Sequence, residues 1–172
     1  ARMEYGGQAV CHDIEYKVRL EGLQPGGKYF YRVCAQEILH YAAYSKVLGD
    51  TQVTDFYSFR LPEEGQEDFT ALIFNDLHRN PETIKLMSEL AGSIPHDFVL
   101  FNGDCIPDPA SREDAMYMLH RLASAFHAEE IPAIFVRGNH EIRNFHSAAL
   151  PSLLDQPGGK TYGAFSWGDT RF

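Results

Sequence analysis

The feature that most constrains the fold is a set of three short apolar runs, each followed at once by a polar loop. The runs are Phe69 to Phe74, Phe98 to Phe101 and Ala133 to Val136. Near-continuous apolar runs of this length are typical of parallel strands buried on both faces, whereas half-buried strands alternate apolar and polar residues. The sequence therefore predicts an α/β region built on a parallel sheet.

The stretches between these runs carry the signals of helices. Pro81 occupies a favourable first helical position, and Gly92 stands as a stop after an apolar stripe. Ser111 is placed as the N-cap of a second helix, with acidic residues in the first turn that favour the helix dipole. The order strand, helix, strand, helix, strand predicts two crossovers whose handedness brings successive strand ends together.

Each apolar run ends in groups that can bind a metal ion. These groups are Asp76-Leu77-His78, Gly103-Asp104 and Gly138-Asn139-His140-Glu141. Ligands of open α/β sheets bind beyond the carboxyl ends of the strands. An extended two-residue spacing would also point Asp76 and His78 in the same direction. The sequence therefore predicts one site that is assembled from three loops.

The residue types in these loops favour a particular chemistry. Carboxylate, imidazole and amide ligands suit Mn, Fe or Zn. Two such cations about 3.5–4 Å apart could clamp a phosphate and ionise a bridging water, and a nearby histidine could protonate the leaving oxygen. Taken singly, each motif also has an ordinary explanation as a turn, a helix cap or a surface imidazole. Their order at three strand ends is what favours a metal site.

The first sixty residues follow a different pattern. Alternating residues predict antiparallel strands at Ile14 to Leu20, Tyr29 to Ala35 and Asp55 to Leu61. The acidic segment Pro62 to Asp68 has the composition of an exposed linker. We therefore predict two domains, residues 1–62 and residues 68–172.

The three motifs together resemble the calcineurin-like metallophosphoesterase superfamily, in particular bacterial phosphohydrolases similar to purple acid phosphatases. The resemblance implies that Asp76 and His78 bind a first metal ion, Asp104 bridges two metal ions and Asn139 binds the second. It implies that His140 is catalytic and acts on the leaving group or the phosphate. The implied fold is the first half of a four-layer α/β/β/α sandwich. The implied reaction is hydrolysis of a phosphate ester by a metal-bridging hydroxide, with two transition metal ions (Mn, Fe or Zn).

The N-terminal part carries a second resemblance. The segment from Val18 to Val33 is similar to late strands of a fibronectin type III-like domain, a β-sandwich that precedes the catalytic domain in purple acid phosphatases. This implies an extracytoplasmic location, secreted or periplasmic. No tyrosine stands near Asp108, so an iron–tyrosinate chromophore is not expected.

The family also supplies later metal-binding histidines in a Gly-His-x-His motif, which this sequence lacks. We therefore expect the chain to be a fragment. A second hypothesis is a non-catalytic interaction or adhesion module with an unassembled metal site. An aspartate-nucleophile hydrolase is disfavoured, because that chemistry would need a carboxylate where His78 stands.

Composition bounds the partners. The formal charge of −9 argues against a sequence-independent nucleic-acid binder, but bound cations would still admit a small phosphate ester. No apolar run approaches the length of a membrane span.

Arg137, before the Gly-Asn turn, is predicted to bind substrate, although an ion pair that holds the loop explains it equally well. Cys11 and Cys34 could pair but more simply pack, and Cys105 is expected to pack rather than to bind metal.

Overall fold

The computed structural model describes residues 2–3, 9–10, 16–154 and 160–172. The chain divides into two compact units. One unit contains Ala1–Gly22 and Phe30–Ser58, and the other contains Leu23–Tyr29 and Phe59–Phe172. The predicted domain ranges, 1–62 and 68–172, stay a prediction.

Among the described residues up to Arg60, the regular secondary structure consists of β-strands, as the alternation indicates. The strands are β1 (Arg2–Met3), β2 (Ala9–Val10), β3 (Lys28–Tyr31), β4 (Cys34–Ala42), β5 (Ser45–Val53) and β6 (Tyr57–Arg60). β1 pairs with β2, and β4 pairs with β5 in an antiparallel hairpin that contains two register shifts. β3 and β6 form a further two-stranded sheet.

Several predicted strand bounds in this region were wrong. Residues 16–20 are exposed and form no strand, because an alternating pattern does not by itself supply a partner strand; residues 14 and 15 lie outside the described residues. The run from Tyr29 to Ala35 is interrupted at Arg32 and Val33, where β3 gives way to β4. Cys34 is a free, exposed cysteine, and Cys11 lies outside the described residues.

The second unit contains the predicted parallel sheet. Its strands are β7 (Ala71–Phe74), β8 (Phe98–Asn102) and β9 (Ala133–Val136), in the spatial order β7-β8-β9. Both pairings are parallel, with Phe74 opposite Phe101 and Asn102 opposite Val136. The prediction from the three apolar runs is confirmed, and it places the carboxyl ends of all three strands at one edge.

Two helices connect the strands, as predicted. α1 (Pro81–Gly92) begins with Pro81 after the N-cap Asn80, and α2 (Arg112–Ala125) begins after the N-cap Ser111. Each cap side chain accepts backbone N–H groups that have no partner within the helix. Gly92 is the last helical residue of α1 rather than the residue after it, and Ser93 forms the C-cap.

One apolar core lies between the sheet and both helices. Val99 and Phe101 of β8 pack in the same cluster as Met118 and Leu122 of α2 and Ile84 of α1. All five side chains are buried. Burying them stabilises the unit by roughly 1.5–3 kcal/mol each, and this fixes the crossover loops that carry the polar clusters.

The C-terminal segment forms a small hairpin of β10 (Ser166–Trp167) and β11 (Thr170–Arg171). The predicted strand from Tyr162 to Trp167 was therefore wrong in its first half, since only Ser166 and Trp167 lie in β10 and Phe165 exchanges two backbone hydrogen bonds with Phe172. Trp167 packs on Phe98, with 4.9 Å between ring centroids, so aromatic packing holds this hairpin against β8. The ambiguous stretch from Asn144 to Leu154 contains one short 3-10 helix, Leu150–Ser152. Over the described residues, no helix has the length and apolarity needed to cross a membrane.

Candidate active site

The loops after β7 and β8 are joined by backbone hydrogen bonds. The N–H of Asp76 donates to the carbonyl of Gly103 at 3.2 Å, and the N–H of His78 donates to the carbonyl of Asp104 at 3.1 Å. These bonds continue the contact between the two strands beyond their ends. The structure therefore brings the predicted ligands of these two loops to one place, as the strand order implies.

Three of the predicted metal ligands have a strained backbone conformation. The φ angles of Asp76, His78 and Asp104 are 57°, 48° and 54°, in the left-handed region that L-residues with a side chain rarely adopt. The extended spacing expected for Asp76 and His78 was therefore wrong. Their side chains are nevertheless neighbours, with His78 Nε2 at 3.8 Å from Asp76 Oδ1. Left-handed residues of this kind concentrate at functional sites.

Two glycines allow the loops after β8 and β9 to touch. A Cβ on Gly103 would lie 2.8 Å from the backbone nitrogen of Gly138, and a Cβ on Gly138 would lie 2.6 Å from the backbone nitrogen of Asp104. Both distances are too short for a side chain, and both neighbouring atoms belong to the backbone, so they cannot rotate away. Glycine at both positions is what lets Asp104 approach the third loop.

A buried carboxylate ties the same two loops together. The side chain of Glu141 is fully buried and accepts four backbone N–H groups. Oε1 accepts from Cys105 and Ile106 at 2.7 and 2.6 Å, and Oε2 accepts from Asp104 and Gly138 at 2.9 and 2.8 Å. Hydrogen bonds to a charged group are the stronger kind, so Glu141 sets the relative position of the two loops.

The carboxylate of Asp104 contacts two groups of the loop after β9. Its Oδ1 accepts the backbone N–H of His140 at 2.8 Å. Its Oδ2 lies 2.8 Å from the side-chain amide of Asn139, whose other end lies 2.6 Å from Nη2 of Arg143. Hydrogen bonding at both ends requires the amide nitrogen to face Asp104 and the amide oxygen to face Arg143.

The same geometry tests whether these residues fit a cation. In the opposite amide orientation, the oxygens of Asn139 and Asp104 face each other at 2.8 Å, which is the spacing of neighbouring oxygen ligands on one ion. The donor set of carboxylate, imidazole and amide suits Mn, Fe or Zn. Within the described residues, however, no three His, Cys, Asp or Glu side chains converge closely enough to hold a metal ion. The residue types therefore suit a transition metal ion, but the side chains of the described residues do not form a complete set of metal ligands.

His140 lies beside His78, with 4.7 Å between the ring centroids in an edge-to-face arrangement. Its ring is one-quarter exposed, so it is reachable from solvent. Nδ1 of His140 lies 3.7 Å from Oδ1 of Asp108, and Nη1 of Arg143 lies 3.1 and 3.2 Å from the two ring nitrogens. The histidine predicted to be catalytic thus has both a carboxylate and a guanidinium as neighbours.

A salt bridge outside this cluster holds the first loop against α2. Arg79 donates to Asp114 Oδ2, and it also donates to the carbonyl of Pro107 at 3.4 Å. The hydrogen bond from Arg79 holds the pKa of Asp114 below its usual value, and the same bond raises the pKa of Arg79. The pair contributes to the position of the loop that carries Asp76 and His78.

Cys105 is a packing residue, as expected from the sequence. Its side chain is fully buried, and Sγ lies 3.3 Å from the carbonyl of Gly103. Burial raises the pKa of the thiol to about 12. A thiol that stays protonated is a poor nucleophile at neutral pH.

The sequence argument missed three residues of the site. It gave no role to Glu141, Asp108 or Arg143, and it selected Arg137, whose Nε is buried without a hydrogen-bond partner in the described part. An Arg three positions after a candidate catalytic histidine is a signal that could have been used. The anchoring by Glu141 leaves no such local signal, because three of its four partners lie in the loop after β8.

Comparison with known proteins agrees with this geometry. The family model for the calcineurin-like phosphoesterases matches residues 69–169, more than half of the chain, and the chain therefore belongs to that family. Among solved structures, the chain is similar to a purple acid phosphatase from yellow lupin (Lupinus luteus) seeds, with a TM-score of 0.53 and 19% identity. The match covers 84% of this chain and 24% of the lupin chain, so the likeness concerns the fold of about a quarter of that protein. No curated protein matches the chain significantly.

Proposed function

We propose that this chain carries part of the active site of a metal-dependent phosphohydrolase that cleaves small phosphate esters. The family membership supports the proposal, and one observation carries it. Asp104 binds the backbone of His140 and contacts the amide of Asn139, both through its carboxylate. A single side chain thus connects the groups expected to hold the metal ions with the group expected to transfer a proton.

The residues divide into two roles. Asp76, His78, Asp104 and Asn139 would hold the two metal ions, which supply the positive charge that binds the phosphate and ionise the attacking water. His140 would donate a proton to the leaving oxygen from the open side of the site, where its ring is partly exposed. The close approach of Gly103 to Gly138 and the carboxylate of Glu141 would hold the loops in position during the reaction.

Three further parts of the proposal rest on the sequence resemblance. The N-terminal segment would be a fibronectin type III-like β-sandwich, and the catalytic part would be the first half of a four-layer α/β/β/α sandwich. The protein would act outside the cytoplasm, secreted or periplasmic. The β-structure of residues 28–60 supports the first of these, because it consists of short antiparallel strands.

An interaction module is the second candidate, and two observations favour it. The described residues hold no closed cluster of His, Cys, Asp and Glu, and the β4–β5 hairpin exposes apolar side chains. Leu39, Tyr41 and Val47 are each more than two-fifths exposed. Exposed apolar side chains mark an interaction site where they form a contiguous patch.

Metal analysis with activity separates the two candidates. We would compare Asp104→Asn with Asp68→Asn, since both remove one negative charge and Asp68 is an exposed residue outside the site. Metal content and hydrolysis of an aryl phosphate would be measured on this chain and on a version extended past Phe172. The phosphohydrolase proposal expects Asp104→Asn to lose metal and activity while Asp68→Asn keeps both. Absence of bound metal from both unmodified versions would favour the interaction module.

A further inference from the structure

Arg143 places a guanidinium in the site that the sequence analysis did not foresee. Nη1 lies 3.1 and 3.2 Å from the two ring nitrogens of His140, and Nη2 lies 2.6 Å from the amide of Asn139. That amide in turn lies 2.8 Å from Asp104. The guanidinium is therefore one side-chain contact away from the carboxylate at the centre of the site.

The charge of this guanidinium is only loosely balanced. The nearest carboxylate oxygen is Asp108 Oδ1, at 3.9 Å from Nη1, which is beyond hydrogen-bond distance. That oxygen is buried and has no hydrogen-bond partner, although His140 Nδ1 also lies 3.7 Å from it. The Arg143 side chain is about half exposed at 49%. A guanidinium with donors open to solvent is suited to bind a phosphate through two parallel hydrogen bonds.

The contact between Arg143 and Asn139 depends on the orientation of the amide. When the amide oxygen faces Asp104, as a cation shared by both residues would require, the amide N–H groups face the guanidinium. Two donors then oppose each other, and Arg143 has to leave this contact. The guanidinium is released on the open side of the site, next to His140, where a substrate would arrive.

We propose that Arg143 is a substrate-binding residue that donates hydrogen bonds to the phosphate of a phosphate monoester and so favours monoesters over diesters. This inference rests on the proposed function. A monoester presents close to two negative charges and three terminal oxygens at neutral pH, whereas a diester presents one charge and two terminal oxygens. A planar, always charged fork therefore gains more from the monoester.

The test compares Arg143→Gln, Arg143→Lys and Arg121→Gln. Arg121 lies on α2, where its guanidinium stacks on Tyr117 at 5.6 Å, and it serves as the matched control. Binding of inorganic phosphate would be measured by calorimetry on this chain with Mn²⁺ present. Hydrolysis of an aryl phosphate and of a bis-aryl phosphate would be measured on the version extended past Phe172.

We expect Arg143→Gln to weaken phosphate binding about tenfold or more, as loss of a charge-assisted hydrogen bond does. Its kcat/KM should fall further for the monoester than for the diester. Arg143→Lys should recover part of the phosphate affinity, because it keeps the charge but loses the fork, and Arg121→Gln should match the wild type. Metal content should be equal in all variants, which separates substrate binding from damage to the metal site.

Equal phosphate affinity in wild type and Arg143→Gln would overturn the inference, and so would an equal fall for both ester classes. The calorimetric titration with phosphate tests the role of Arg143 independently of catalysis. A wild type that binds phosphate through Arg143 but hydrolyses nothing would contradict the proposed function and support the phosphate site. A wild type that does not bind phosphate would overturn the role assigned to Arg143.

Discussion

The anchoring carboxylate of Glu141 gives the sharpest prediction about stability. Glu141→Gln keeps the size of the side chain but replaces one acceptor oxygen by an NH₂ group, which is a donor. Each oxygen of Glu141 accepts two backbone N–H groups. The side-chain oxygen of glutamine can therefore accept one pair of N–H groups. Its NH₂ group would face the other pair, which would then have no acceptor.

The expected magnitude follows from that count. Leaving a buried N–H without an acceptor costs about 1–3 kcal/mol, so two such groups cost about 2–6 kcal/mol. Domains of this kind have only about 5–15 kcal/mol of unfolding free energy in total. With an m-value of roughly 2 kcal/mol/M in urea, the unfolding midpoint should fall by about 1–3 M.

Urea unfolding followed by tryptophan fluorescence measures this change. The chain has one tryptophan, Trp167, which packs on Phe98 of β8 and so reports on the unit that contains Glu141. Glu89→Gln is the matched control, because Glu89 lies on the exposed face of α1 in an i,i+4 pair with Lys85. Exposed pairs of this type contribute about 0.3–0.5 kcal/mol.

Two results would refute the reasoning. The first is a midpoint for Glu141→Gln within the small shift of Glu89→Gln, which would show that the four hydrogen bonds add nothing to stability. The second is the expected fall in the urea midpoint with metal content and activity unchanged in the protein that is still folded. That outcome would show that Glu141 does not position the site.

Three further predictions follow from the geometry. Gly138→Ala should lower the unfolding free energy by about 1–3 kcal/mol, because its Cβ would meet backbone, while Gly92→Ala, with open space around its Cβ, should be neutral or stabilising in the same urea assay. The depressed pKa of Asp114 stabilises the fold above the unfolded value near 4 and loses that effect as the pH falls below it, so Asp114→Asn should show a shallower loss of stability than the wild type as the pH falls below about 4 in acid titration. Alkylation at pH 8 followed by peptide mass mapping should label the exposed Cys34 quickly and leave Cys105 unlabelled until the protein is unfolded, since its pKa is about 12.

The sequence was most informative where local rules decide the structure. The parallel sheet followed from three uninterrupted apolar runs, and the helix starts at Pro81 and Ser111 followed from capping and the missing proline N–H. These features depend on neighbouring residues or on burial of a whole segment. The prediction that the polar clusters share one sheet edge then needed only the handedness of the crossovers.

The failures have a common physical cause, which is dependence on distant partners. The alternating run of residues 16–20 does not pair, and alternation carries no information on whether a partner strand is in reach. Glu141 accepts hydrogen bonds from residues 104–106, which only folding brings near, so this role cannot be read from adjacent residues. The left-handed backbone at Asp76 and His78 was also missed, because neither residue is glycine.

This left-handed backbone determines which substitutions the loops can tolerate. At Asp76, His78 and Asp104, a residue with a Cβ carries a conformational cost of about 1–2 kcal/mol that glycine avoids and asparagine reduces. Replacing one of them by glycine would therefore relieve strain while it removes a predicted ligand. The loops that carry the predicted ligands therefore hold these side chains at the expense of stability, and a lineage in which the proposed function is no longer selected should accumulate glycine and asparagine at these three positions.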